Sequence, residues 1–294
     1  MQVDIMIWFQ GLFENFQEFF DIFFMIVTAF GEELILFIVL PIFYWAVNKE
    51  AAHLVAMAGF ASLTLNGVIK DVAKVERPIG NENIRFVEIE NFLVDTVHLK
   101  EGSYSFPSGH SQTISVLSFS LASYYNKKKL WIAASVITIL VMLSRLYLGV
   151  HWPLDVLIGG LLGLVSAVIC YQIFKRCNED NRIKAYLILA VLCLTALFFA
   201  EKSDTFKSVG ACFGFAVGAL VDRKFIHFDP TEGPLWKKIV RCILGLAIVG
   251  GLKAGLKPLF LLIADNVFLD FFRYMIIVFV AIALYPMLAK KIKL

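Results

Sequence analysis

The chain has 294 residues, 59% of them hydrophobic and only 17% charged, with a mean hydropathy of +0.77 and a formal net charge of +3. A soluble globular chain is roughly 45–50% apolar and about 25% charged, so this balance, with 28 Phe and only 8 Pro, excludes a disordered chain, a collagen and a disulfide scaffold. The apolar excess runs along the whole length, which predicts an all-α integral membrane protein, and its runs are too long for the ~10-residue alternating strands of a membrane barrel.

In chain order, residues 4–20 mix Trp, Phe and Ile with Asp4, Glu14 and Glu18. That mixture suits an amphipathic helix lying in the membrane interface, the alternative being an extension of the first span. A spanning helix needs about 20 mostly apolar residues. Candidate spans follow at 32–48, 52–72, 108–125, 130–147, 154–174, 184–200, 206–221, 239–263 and 269–289. The seventh is short and the eighth is interrupted by Lys253 and Lys257, so the expectation is a bundle of about 8–9 transmembrane helices. The organisation expected is an interfacial segment over 1–30, a core bundle over 31–176 and further helices over 177–294. Segment 222–238, with Pro230 and Gly233, reads as a linker or an interfacial elbow.

Basic residues set the orientation. Alternating the spans gathers most of the 27 Lys and Arg on one side, from Lys49 and Lys127–Lys129 to the C-terminal Lys290, Lys291 and Lys293, and marks that side as cytoplasmic. The opposite side holds the long 74–107 loop, rich in acids such as Glu82, Glu88, Glu90 and Asp95. The small net charge names no nucleic-acid partner. Five Cys residues without a CxxC pair read as buried or free thiols. With no basic residue before its apolar stretch, the N-terminus is expected to carry no cleaved signal peptide. Gly210, Gly214 and Gly218 recur four apart, a pattern that lets helices pack closely in lipid, within one chain or between two copies as a homodimer.

Three polar clusters fall on the predicted outer side, where charge beside a membrane needs a partner or a task. The first closes the second span: Lys70 and Arg77 lie seven residues apart, two turns of a helix that Pro78 ends, and are expected to share one face. The second, Tyr104 to His110, opens the third span. Ser108 and Gly109 start a helix there, where free N–H groups attract an anion, although a Ser in that position also serves as a plain N-cap. The third runs from Ser144 and Arg145 to His151 and Asp155 across a short turn. His151 and Asp155 are four apart, so a helix would stack them, and a carboxylate so placed holds an imidazole in one tautomer. Together these supply three cations, an anion-binding helix start and two imidazoles, an inventory for phosphoryl transfer. No acidic cage accompanies them, so neither a metal nor another cofactor is expected.

The three clusters resemble the signature of the type 2 phosphatidic acid phosphatase superfamily: K-x6-RP at Lys70, Arg77 and Pro78, PSGH at Pro107 to His110, and SR-x5-H-x3-D at Ser144, Arg145, His151 and Asp155. The likeness covers about 52–176. Gly31-Glu32-Glu33 and Pro41, Tyr44 and Trp45 are similar to the sphingosine-phosphate-phosphatase branch and its bacterial relatives. The resemblance implies a metal-independent phosphohydrolase working through a phosphohistidine. By motif position His151 is the nucleophile, Asp155 orients it and His110 protonates the departing oxygen. Lys70, Arg77, Arg145, Ser108 and the Gly109 N–H bind the phosphoryl oxygens. The residues alone do not choose which histidine attacks, though the Asp155 spacing favours His151.

The substrate expected is a membrane lipid phosphate or pyrophosphate met at the outer face of a bacterial cytoplasmic membrane, with undecaprenyl pyrophosphate and phospholipid phosphates foremost. A phosphotransferase, a sugar-phosphate phosphatase and a phospholipid-translocating protein are the alternatives. Residues 85–99 suit an interfacial lid, His98 reads as a surface histidine, and His53 and His227 lie on the other side of the membrane. Lys253, Lys257 and Arg273 have no assigned task beyond reaching the interface or pairing with acids such as Asp270.

Overall fold

In the computed structural model, which describes residues 1–89, 96, 99, 102–264 and 266–294, every predicted span forms a helix and no strand occurs among the described residues. In chain order these are α1 (Gln2–Gly11), α2 (Gln17–Ala29), α3 (Glu33–Ile42), α4 (Lys49–Ala73), α5 (Gly109–Tyr125), α6 (Lys128–Tyr147) and α7 (Pro153–Arg176). There follow α8 (Glu179–Leu194), α9 (Ser203–Val221), α10 (Leu235–Leu261), α11 (Val267–Phe279) and α12 (Tyr285–Lys291). The protein is a multi-pass, all-helical membrane protein. Among the described residues six helical stretches are long and apolar enough to cross a bilayer, and the pair Glu14–Ala29 and Glu33–Val47, bent by 49°, makes a seventh if it is one span. Helix α5, which carries five serines, has 17 residues and is shorter than these. The five Cys residues are free thiols.

The helices divide into two compact units, one of Met1–Leu36 with Val68–Val168 and one of Phe37–Gly67 with Ile169–Leu294. This division cuts across the three consecutive segments expected from sequence. In the first unit α1 and α2 pack on α6, and Phe24 stacks on Tyr147 at 4.5 Å with Phe13 edge-on to the same ring. Gln10 Nε2 donates to the carbonyls of Arg85 and Tyr147, both at 2.8 Å. Residues 1–30 are thus built into the unit that holds the three motifs, because their aromatic face has a complementary surface there to cover. On α7, Gly159 and Gly163 sit so close to Ser108 and Gln112 that an added Cβ would lie 2.5 and 2.6 Å from their carbonyl oxygens. That approach seats the start of α5 against the first turns of α7.

In the second unit α9 packs along α11. Cβ atoms added to Gly210 and Gly214 would meet the carbonyl oxygens of Phe271 and Met275 at 2.1 and 2.3 Å, and one on Gly218 would meet Ile282 at 3.0 Å. The small-residue face offered above to a homodimer is therefore filled from within the chain, and close backbone approach is its use. Arg273 pairs with Asp270 at 2.9 Å. Segment 222–238 is an elbow tied to its unit: Lys49 pairs with Asp222 and donates to the Phe228 carbonyl at 2.8 Å, and the buried Arg241 donates to the Trp45 carbonyl at 2.7 Å.

Candidate active site

All eight residues singled out by the motifs belong to the first unit. His151 sits in the turn between α6 and α7, buried to 1% exposure. Gly149 makes that turn at φ +71°, pressed against the Arg85 carbonyl where a Cβ has no room, a conformation glycine adopts without penalty. His151 precedes α7, so it and Asp155 are not stacked along a helix as predicted; their pairing comes from the turn. Nδ1 of His151 lies 3.4 Å from Asp155 Oδ2 and 3.2 Å from Ser105 Oγ. The carboxylate is itself fixed, accepting from Ser105 Oγ and, at 2.8 Å, from the Trp152 N–H.

Arg77 defines the other side of the ring. Its Nη1 lies 3.0 Å from His151 Nε2 and 2.8 Å from the Val150 carbonyl, and its Nε faces Ser103. A guanidinium only donates, so Nε2 is the accepting nitrogen and the ring proton sits on Nδ1, toward Asp155 and Ser105. Burial first, then the charges of Arg77, Arg145 and Lys70, hold the His151 pKa well below the ordinary 6.5. The imidazole is neutral at neutral pH, with its lone pair directed among cations.

The structure corrects the reading of Lys70 and Arg77 as one helix face. Helix α4 ends at Ala73, and Lys74 turns left-handed at φ +49°. The chain from 74 to 77 is not helical, in keeping with the restriction that Pro78 imposes on its predecessor. Arg77 therefore reaches His151 from an extended segment, and Lys70 acts on it through charge from the helix end. Arg145, in the last turn of α6, is 1% exposed. Its Nη1 donates to Thr28 Oγ1 at 2.8 Å, while Nε has no partner among the described residues. Leaving such a donor unmet costs about 1–3 kcal/mol or more for a charged group, which an anion in the site would offset.

Helix α5 begins where the sequence indicates. Ser108 is its N-cap, fully buried, with Oγ accepting from the Ser111 N–H at 3.5 Å and from Ser111 Oγ at 3.1 Å, and its own N–H donating to the Asp155 carbonyl at 3.0 Å. The capping role is thus filled in this state, and the start of α5 is bonded directly to the first turn of α7. His110, half-buried, faces Glu32 across 2.9 Å from Nε2 to Oε1.

Ser105, Thr28 and Glu32 are partners the sequence reading gave no role. Ser105 stands inside the motif segment, three residues before Ser108, and that proximity was the available signal. Thr28 has none, and Glu32 stands in the Gly31-Glu32-Glu33 likeness, outside the three signature motifs. His98 and most of the 85–99 stretch read as a lid lie outside the described residues. His53 and His227 line a separate cavity of ≈ 220 Å³ in the second unit with Lys49, Arg182 and Asp222. Among the described residues no group of three or more His, Cys, Asp or Glu side chains is arranged to hold a metal ion.

The class defined is a polytopic helical membrane protein with a buried histidine held between a carboxylate and a ring of cations. Residues 50–179 match the family model described as PAP2 superfamily, and 206–294 match the PAP2 superfamily phosphatase transmembrane extension. The chain belongs to the PAP2 superfamily. It is 41% identical over 85 residues to an undecaprenyl-diphosphatase of Sulfolobus acidocaldarius, covering 28% of this chain and 41% of that protein. It is 45% identical over 74 residues to phosphatidylglycerophosphatase B of Bacillus subtilis, covering 22% of this chain and 36% of that one. With sphingosine-1-phosphate phosphatase 1 of Mus musculus it shares 24% identity over 253 residues, 76% of this chain and 56% of the mouse protein. The chain spans about half the length, or less, of these curated relatives.

Proposed function

We propose that the chain hydrolyses a lipid phosphate, a monoester or a diphosphate, without a metal and through a phosphohistidine. The observation that carries this reading is the state of His151: proton on Nδ1 toward Asp155 and Ser105, lone pair on Nε2 beside Arg77. Nε2 attacks phosphorus as the bond to the leaving oxygen breaks, and the ring becomes cationic against Asp155. Arg77 leaves Nε2 for a phosphoryl oxygen, and Arg145 and Lys70, with the Gly109 N–H and Ser108, hold the others, stabilising charge as it develops. His110 gives a proton to the leaving oxygen and takes one from the water that then cleaves the P–N bond.

The lipid nature of the substrate is supported by the membrane setting and by the substrates in the relatives' names, among which undecaprenyl diphosphate and a phospholipid phosphate are the first to test. In this reading nine helices cross the bilayer, residues 4–20 lie at its surface and the site opens on the outer leaflet of a bacterial cytoplasmic membrane. The C-terminal helices beyond 177 form the extension. The test is phosphate release by purified protein over a panel of lipid phosphates and diphosphates with EDTA present. Wild type releases phosphate, vanadate inhibits it, and His151→Ala loses about 10⁴-fold or more. Loss of wild-type activity in EDTA, or full activity in the variant, overturns the mechanism. Lipid dephosphorylation only when an alcohol acceptor is supplied, with the phosphoryl group recovered on that alcohol instead of as free phosphate, identifies a phosphotransferase.

A further inference from the structure

Glu32 lies outside the matched family segment of 50–179, yet it meets the second histidine of the site. The chain breaks between α2 and α3 over residues 30–32, with a 49° bend between the flanking helices. At the break Gly31 is so close to α5 that an added Cβ would lie 2.8 Å from His110 Cβ, 2.9 Å from Val141 Cγ1 and 3.0 Å from the His110 carbonyl oxygen. One residue on, Glu32 Oε1 lies 2.9 Å from His110 Nε2. One turn earlier the fully buried Thr28 accepts from Arg145 Nη1 at 2.8 Å. A single bend therefore serves two of the site's functional side chains, and a larger residue at position 31 would push it away.

We propose that Glu32 is a positioning residue for His110: it accepts the Nε2 proton, stabilises the imidazolium among the cations of the site, and leaves Nδ1 to face the leaving oxygen. This rests on the phosphatase reading above. A carboxylate only accepts, so the contact puts a proton on Nε2. Burial, then Arg145 and Lys70, disfavour a positive charge on His110, and the Glu32 carboxylate is the group that opposes them, at contact distance. In the first step the P–O bond breaks, its electron pair goes to the leaving oxygen, and that oxygen takes the Nδ1 proton. His110 is then neutral, with Nε2–H still on Glu32 and a lone pair on Nδ1. In the second step this lone pair takes a proton from water as the water oxygen bonds phosphorus and the P–N electrons return to His151. The pair thus ends as it began.

A proton matters most when the leaving group is a poor one. An alkoxide from a lipid monophosphate needs it; a nitrophenolate does not. The experiment compares wild type, Glu32→Gln and the neighbouring control Glu33→Gln on a long-chain alkyl phosphate and on 4-nitrophenyl phosphate. Glu32→Gln loses about 10–100-fold on the alkyl ester, within the range of a general-acid contribution, and at most a few-fold on the aryl ester. Its alkaline limb for kcat/KM on the alkyl ester moves to lower pH. Glu33→Gln behaves as wild type. Retained aryl turnover shows that the variant folds. Equal losses on both esters with an unmoved alkaline limb, or no loss on either, overturn the role of Glu32 while leaving the phosphatase reading intact. No release by wild type from any phosphate ester removes that reading and this inference with it.

Discussion

The two histidines of the site are built by opposite means. His151 is buried and takes its carboxylate from four residues away, through a turn that fixes both and lets Ser105 and the Trp152 N–H secure Asp155. His110 is partly open, and its carboxylate comes from 78 residues away across a helix bend. A group that must attack phosphorus gains from a short, rigid connection, because its lone pair has to be aligned to within a few tenths of an ångström. A group that gives and takes a proton tolerates a longer one, and its exposure gives water a way in for the second step.

The largest effect that tests this contrast, after loss of His151, the proposed nucleophile, is expected for Asp155→Asn. With its oxygen in the place of Oδ2 the amide still accepts from the Trp152 N–H and faces Nδ1, but it loses the charge that supports the cationic ring. A loss of about 10²–10⁴-fold in kcat follows, of the size seen when such a carboxylate is neutralised. It is equal on alkyl and aryl phosphates, since in the proposed mechanism both pass through the phosphohistidine. Steady-state rates on the two esters decide the matter. A loss confined to the alkyl ester would make Asp155 part of the acid and collapse the distinction between the two pairs.

Arg77 sharpens the comparison through pH. With burial and the cations holding His151 neutral, the acid limb of kcat/KM that belongs to this ring lies below the ordinary 6.5. Activity on that limb rises as pH increases through the lowered pKa, because the attacking form is the neutral one. Arg77→Gln removes one of the named charges, so the limb moves to higher pH, with a rate loss of about 10²–10³-fold from the missing phosphoryl contact. Arg77→Lys keeps the charge and leaves the limb in place, although its single ammonium does not reproduce the guanidinium fork. The His151 titration, followed by NMR in the free protein, separates the ring's pKa from that of the substrate. A ring that titrates near 6.5 in wild type contradicts the assignment.

The signature motifs are legible because their spacing is local. Residues four apart, or a Ser before a helix, carry their geometry in the sequence itself, and so His151, Asp155, Ser108 and Gly109 emerge as neighbours of the right kind. Lys70 and Arg77 show the limit: a left-handed Lys74 is uncommon for a non-glycine residue, so nothing in the spacing announces that the helix stops four residues early. Thr28 and Glu32 mark a second limit. Their contacts exist only because α2 packs on α6 and the chain bends at Gly31, both tertiary events without a local pattern. The glycine row on α9 is legible as a close-packing surface but silent about its occupant, since α11 and a second copy would ask for the same small residues.

Ser105 separates anchoring from charge within the His151 pair. Its hydroxyl touches both Nδ1 of His151 and Oδ2 of Asp155, and its backbone N–H donates to the Val75 carbonyl at 2.7 Å. Ser105→Ala removes the hydroxyl while leaving the backbone bond and the carboxylate charge, so the ring keeps its proton on Nδ1 but is held by one contact instead of two. The expected cost is about 3–10-fold in kcat, corresponding to the net worth of a hydrogen bond of about 1 kcal/mol, with KM and the acid limb nearly unchanged. A loss as large as that of Asp155→Asn would mean that the serine, rather than the 3.4 Å contact with the carboxylate, fixes the tautomer. The His151 anchor would then be a chain through Ser105 to Asp155, and His110, bonded to Glu32 directly, would have the more immediate carboxylate of the two.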